Sequence, residues 1–201
     1  MSTKSALLNP TLVGAVCVSL YWLIVVLKVI FITPSLGKTP NLVPKEILGG
    51  LSRLIMLPLI MGWVLLIWQV YLYSTVDMAL LAWMGAIGSV VALGLSIYCW
   101  YYMGAAWRIG IDPKEKNPLV TSGPFKYSRH PIYALSMLLM LSSFLVVQTK
   151  GMFVLLCIHW ALFFWEAVRE ERHLLKMHGE TYRSYMQQTN RFFPGSLCVG
   201  E

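Results

Sequence analysis

The stretch IYALSMLLMLSSFLVVQTKGMFVLLCIHWALFFWEAV, residues 132–168, decides the fold. It holds two apolar runs, Ile132–Gln148 and Met152–Val168, parted only by Thr149–Gly151. At 1.5 Å per residue each run is near the length that crosses about 30 Å of hydrocarbon. So short a connection makes the two helices antiparallel neighbours, and the outer ends of the hairpin return to one membrane face. Working outward, the stretches Thr11–Ile32, Leu54–Tyr73 and Ala79–Met103 have the same character. Over 201 residues the chain is 57% apolar and 12% charged, where an ordinary soluble domain is about 45–50% apolar and about 25% charged. Soluble and disordered classes are excluded. The expected architecture is an all-α integral membrane protein of five transmembrane helices, with a tight hairpin between the fourth and fifth and a cytosolic C-terminal helical tail.

The net charge of +7 is distributed unevenly. Lys4 and Lys150 fall on the N-terminal side of the five-span topology. Thirteen basic residues fall on the other: Lys38, Lys45, Arg53, Arg108, Lys114, Lys116, Lys126, Arg129, Arg169, Arg172, Lys176, Arg183 and Arg191. Lys28 lies within the first span and completes the 16. Positive residues collect on the cytoplasmic side, so the N-terminus is expected outside and the C-terminus in the cytosol. The charge thus reads as topology, and no nucleic-acid partner is expected. The first run continues for about 20 residues with a poor cleavage site at Val16–Cys17, and reads as a retained span. Cys17, Cys99 and Cys157 lie in apolar runs, Cys198 lies near the C-terminus, and there is no CxxC spacing. Neither a disulfide framework nor a metal site is expected. Gly85, Gly88, Ser89, Ala92 and Gly94 form a small-residue stripe suited to close helix approach. Trp63, Trp68, Tyr71, Tyr73, Trp100, Tyr101 and Tyr102 suit an interfacial aromatic belt.

Two stretches on the basic side are too polar for plain connectors: LVTSGPFKYSRHPIY at 119–133 and EAVREERHLLKMHGETYRSYMQQTNRFFP at 166–194. Pro131 suits the first position of a helix, which puts His130 at its cap and Arg129 just outside. Free N–H groups, the helix dipole and two cations there favour a carboxylate. The plainer reading is that Arg129 and His130 anchor the span at the headgroups. Glu166, Glu170 and Glu171, with Arg169 among them, close the fifth span, and the tight hairpin brings this cluster towards Arg129 and His130. Carboxylates near a bilayer are costly unless solvated or paired; the plainer reading is a wet helix end in which Glu170 pairs with Arg172 or Lys176. A ligand suiting both halves carries a carboxylate for the helix start, hydroxyls or an ammonium for the glutamates, and a flat ring for Phe125, Tyr127 and Leu119–Val120. The residues alone do not single one out.

The motifs RHPIY at 129–133, GPF at 123–125, and the pair Glu170–Glu171 followed by HGETYRSY at 178–185 resemble the isoprenylcysteine carboxyl methyltransferases and their prokaryotic relatives. The similarity covers about Leu119 to Pro194. It implies a multi-span enzyme of the cell membrane that moves a methyl group from S-adenosylmethionine to a lipophilic acceptor, the cofactor entering from the cytosol and the acceptor from the bilayer. Residues 1–106 would then be a scaffold of three spans and 107–201 the catalytic region. Carried over, the cofactor contacts fall on Asn117, Pro118, Leu119 and Val120, on Phe125 where relatives often have Tyr, on His130, Pro131, Ile132 and Tyr133, and on Glu170. Asn117 and Pro118 differ from the family's commoner residues, so backbone contacts are implied there. Arg191 resembles an arginine that closes the site.

One position departs. Where relatives that methylate a carboxylate carry an arginine, this chain has Glu166. Arg169, three residues on along the same helical face, is the candidate to take its place in holding the acceptor. The alternative is an amine or thiol acceptor, since a glutamate repels a carboxylate; Glu166 or Glu171 would then be the base. A nicotinamide-dependent membrane reductase is the other enzyme class with a similar C-terminal pattern. No metal is expected.

Overall fold

The computed structural model describes residues 9–32, 47–73, 80–107 and 119–194. These contain α1 (Pro10–Leu27), continued by a π-helical turn at Lys28–Ile32, then α2 (Ile47–Tyr73), α3 (Leu80–Met103), α4 (Pro131–Val147), α5 (Lys150–His178) and α6 (Glu180–Gln188), with no strand among the described residues. Helices α1, α2, α3 and α5 are long and apolar enough to cross a membrane. At 17 residues α4 is shorter, about 25 Å. The protein is an all-α membrane protein. Lys4, Lys38, Lys45, Ala79, Arg108, Lys114, Lys116 and Cys198 lie outside the described residues.

Local sequence explains the helix ends. Asn9 accepts from the Thr11 amide at 2.8 Å and Pro10 opens α1, a pairing of N-cap and N1 proline. Gln148 takes the left-handed conformation at φ 50, and Thr149 caps α5 by accepting from the Met152 amide at 3.2 Å, so the tight hairpin forms. Two boundaries differ from the hydropathy reading. Helix α2 starts at Ile47 instead of Leu54, because Ser52 and Arg53 interrupt hydropathy without interrupting the helix. Helix α5 continues past Val168 to His178, because Glu, Arg, Leu, Lys and Met are strong helix formers and nothing stops them before Gly179.

Helices α3 and α4 form the most extensive pair in the bundle. A Cβ at Gly85 would lie 2.5 Å from the Ser142 carbonyl oxygen, so this glycine is needed for the approach; one at Gly88 would clash only with the Ser142 hydroxyl, at 2.5 Å, which a rotation relieves. Gly94 meets nothing within 4 Å and is not part of the contact. Buried hydroxyls of Ser89, Ser96 and Ser143 donate to the carbonyls of Gly85, Ala92 and Leu139, which satisfies them without a partner helix. Trp63 and Trp100 are buried and not in an interfacial belt; Trp63 packs edge-on against Trp22 and His159 at 6.0 and 5.3 Å. Tyr73 and Tyr101 are exposed, as a belt requires. Lys28 is buried with its ammonium 4.8 Å from the Trp107 ring centre.

Candidate active site

The start of α4 is held by the segment that follows α6. The amides of Arg129 and His130 donate to the carbonyls of Asn190 and Arg191 at 2.9 and 3.0 Å, and the Ser128 hydroxyl donates to the Arg191 carbonyl at 3.0 Å. Arg129 spends the rest of its fork on the chain end: Nη1 donates to the carbonyls of Thr189 (2.5 Å) and Met186 (3.0 Å), and Nε and Nη2 reach Glu171 Oε1 at 3.0 and 2.9 Å. Arg191 grips the same carboxylate, with Nε 3.0 Å from Oε1 and Nη2 2.7 Å from Oε2. Both oxygens of buried Glu171 are therefore engaged by guanidinium donors, and these bonds push Arg191 above its ordinary pKa.

In front of this knot lies a pocket bordered by Leu119, Val120, Phe125, His130, Glu170, Tyr182 and Tyr185. His130, buried, stacks flat on Tyr133 with ring centres 5.3 Å apart. Its Nδ1 is 3.7 Å from Glu170, and its Nε2 is 3.4 Å from Glu171 without forming a hydrogen bond. The Tyr185 hydroxyl donates to the Phe125 carbonyl, tying α6 to the connector. The buried Tyr182 hydroxyl has no partner. Burial pushes the Tyr185 phenol up to about 12 and raises Tyr182 as well, so both are neutral donors at physiological pH.

Of the residues singled out in the sequence, Leu119, Val120, Phe125, His130 and Glu170 line one cavity. Pro131, Ile132 and Tyr133 continue α4 behind His130 and do not line it. Tyr127 is exposed and faces away, towards an apolar groove between α3 and α4. Glu166 and Arg169 sit beyond the cavity and bind each other at 2.9 Å. Asn117 and Pro118 lie outside the described residues. Sequence reasoning passed over Tyr182 and Tyr185, three positions apart and thus on one face of α6, whose lining role their spacing in HGETYRSY signals. It also passed over Arg53, the single charged residue of α2, whose neighbours include Glu166, Tyr133 and Arg169.

The pocket suits S-adenosylmethionine in kind. Its aliphatic and aromatic side chains would flank a flat ring, Glu170 would meet hydroxyls or an ammonium, and the unpartnered hydroxyl of Tyr182 is a polar atom in a buried wall. Among the described residues no group of three or more His, Cys, Asp or Glu is placed to hold a metal ion.

A family model described as phospholipid methyltransferase matches residues 80–181, from α3 to the start of α6. The chain is 29% identical over 123 residues to the cobalt-zinc-cadmium resistance protein CzcN of Cupriavidus metallidurans, covering 61% of this chain and 53% of that protein. It is 26% identical over 116 residues to the nickel-cobalt-cadmium resistance protein NccN of Alcaligenes xylosoxydans xylosoxydans, covering 58% and 51%. The alignments thus span about half the length of these curated relatives. The matched region carries the GPF, RHPIY and Glu170–Glu171 motifs, in agreement with the resemblance to the isoprenylcysteine carboxyl methyltransferases. On this match the chain, an integral membrane protein, belongs to the phospholipid methyltransferase family.

Proposed function

We propose that the protein is an S-adenosylmethionine-dependent methyltransferase acting at the cytosolic face of a prokaryotic cell membrane on a lipophilic carboxylic acid, such as an isoprenylated cysteine. The observation that carries this reading is the convergence of Leu119, Val120, Phe125, His130 and Glu170 on one pocket inside the family-matched region. In this reading all five long apolar helices span, α4 included, with Lys150 outside and Lys176 in the cytosol; the two lie at opposite ends of α5. Residues 1–106 are the scaffold and 107–201 the catalytic region.

Each side chain then has a stated task. Leu119, Val120 and Phe125 would flank the adenine, Glu170 would accept from the cofactor's polar donors, and His130 with Tyr182 would donate to its carboxylate. When bound, S-adenosylmethionine would supply a methyl on a sulfonium, whose transfer to an acceptor oxygen would leave the electron pair of the broken bond on sulfur, with no proton to place when the acceptor is a carboxylate. Glu171 then needs no role as a base. Its oxygens are engaged by Arg129 and Arg191, and its task is to hold the closing segment over the pocket. Arg169 neutralises Glu166 and so lifts the repulsion an acidic acceptor would otherwise meet.

The test is transfer of label from methyl-labelled S-adenosylmethionine to a panel of lipophilic acids, amines and thiols by purified protein. Transfer to an acid supports the reading. Transfer to amines or thiols only would reassign the acceptor, and saturable binding of a reduced nicotinamide with no transfer would replace the reading by a reductase.

A further inference from the structure

Arg53 lies in α2, before the family-matched region, and does not touch the pocket. Its Nε is buried and makes no hydrogen bond. Helices α2 and α5 run antiparallel: a Cβ at Gly62 would meet Leu155 at 3.5 Å, and one at Gly151 would meet Leu66 at 3.4 Å. Following that register about nine residues back towards the start of α2 sets Arg53 against the turn that carries Glu166 and Arg169. Glu166, Tyr133 and Arg169 are indeed the groups that act on it electrostatically. Glu166, the one carboxylate among them, already binds Arg169 at 2.9 Å. Tyr133 connects this cluster to the pocket, because its ring stacks on that of His130, which lines the pocket.

A guanidinium offers a planar fork that matches a carboxylate in two bonds, and a buried donor without a partner is costly to keep. A guanidinium repels an ammonium and does nothing for a neutral thiol. We propose that Arg53 receives the carboxylate of the methyl acceptor, an amphiphile whose apolar part lies among the lipids, and that Arg53 with Arg169 sets the preference for acids. This rests on the reading of the neighbouring pocket as the methyl-donor site.

The experiment compares wild type, Arg53→Met and Arg53→Lys, purified in detergent. The probes are N-acetyl-S-farnesylcysteine, palmitic acid, hexadecylamine and hexadecanethiol, with S-adenosylhomocysteine as the cofactor-site ligand. Wild type is expected to methylate at least one of the two acids. Arg53→Met is expected to raise the KM for that acid at least tenfold, to weaken its equilibrium binding equally, to leave S-adenosylhomocysteine affinity within twofold and not to lower Tm. Arg53→Lys should fall between, and carries the same test should Arg53→Met not fold. An unchanged KM for the acid in the folded variants would overturn the assignment, as would a loss confined to kcat, or parallel losses of Tm and S-adenosylhomocysteine affinity that mark a structural prop. If wild type methylates only the amine or thiol, the pocket reading stands and the Arg53 assignment fails. If wild type neither binds S-adenosylhomocysteine nor transfers label, both fail together.

Discussion

The two ends of the α4–α5 hairpin are built by different means. At the Gln148–Thr149 end a single left-handed residue and a threonine cap suffice, with every bond made within four residues. At the other end Glu171 joins Arg129, 42 positions away, and Arg191, 20 positions away, and the last turn of α6 and the connector at 119–128 are tied to the same knot. Helix packing in an apolar surrounding needs no ions, as the Gly85–Ser142 contact shows. The charges are concentrated where chain segments that cannot pack as helices have to be held around a cavity. One end is local and replaceable; the other is cooperative and surrounds the pocket.

Variants can break or sharpen this contrast. The largest effect is expected from Glu171→Gln, which leaves two guanidiniums without their carboxylate; a loss of about 3–5 kcal/mol is the usual scale when one partner of a buried ion pair is removed. Thermal unfolding in detergent measures it, and a loss below that of a cap variant at the opposite end would erase the contrast. Next, Gly85→Val should cost about 1–3 kcal/mol by overpacking against the Ser142 carbonyl. Gly94→Ala, with open space around it, should be close to neutral in the same unfolding assay. Thr149→Ala, at the local end, should lose about 1 kcal/mol, the scale of an N-cap, with cofactor affinity intact.

A smaller effect, seen only at high pH, is expected from the tyrosines of α6. Burial raises the Tyr185 phenol to about 12, above the ordinary tyrosine value of about 10, so folding favours the protonated form. Its stabilising contribution is complete below pH 10 and declines as pH rises towards 12, since the unfolded chain releases the proton first. Unfolding measured across that window should show a shallower decline in Tyr185→Phe; an equal slope in both proteins would remove Tyr185 from the buried wall.

Much of this was legible in the sequence for physical reasons. The hairpin is visible because two apolar runs separated by three residues leave no other route, and Pro131 fixes where α4 begins. His130 and Glu170 could be brought together because the hairpin is short, although 40 positions separate them. The end of α5 was not legible: hydropathy falls at Glu166, whereas helix propensity continues to Gly179. The partner of Glu171 was not legible either, since two adjacent glutamates look alike until packing turns Glu170 to the pocket and Glu171 to the arginines. Trp63 reads as an interfacial residue by its type, although it lies at the middle of the run Leu54–Tyr73, and its contacts with Trp22 and His159 show it to be core. Arg53 was hidden by its position at the edge of an apolar run, where a basic residue ordinarily reports topology.

The most direct measurement is equilibrium binding of S-adenosylmethionine to the purified protein, beside His130→Ala and Glu170→Gln. Saturable binding by wild type is expected, weakened in each variant by about 1–3 kcal/mol, or roughly 5- to 150-fold, with Tm little changed because neither residue belongs to the Glu171 knot's hydrogen bonds. No binding by wild type, or equal binding by all three folded proteins, would contradict the placement of a cofactor between the connector and the start of α4.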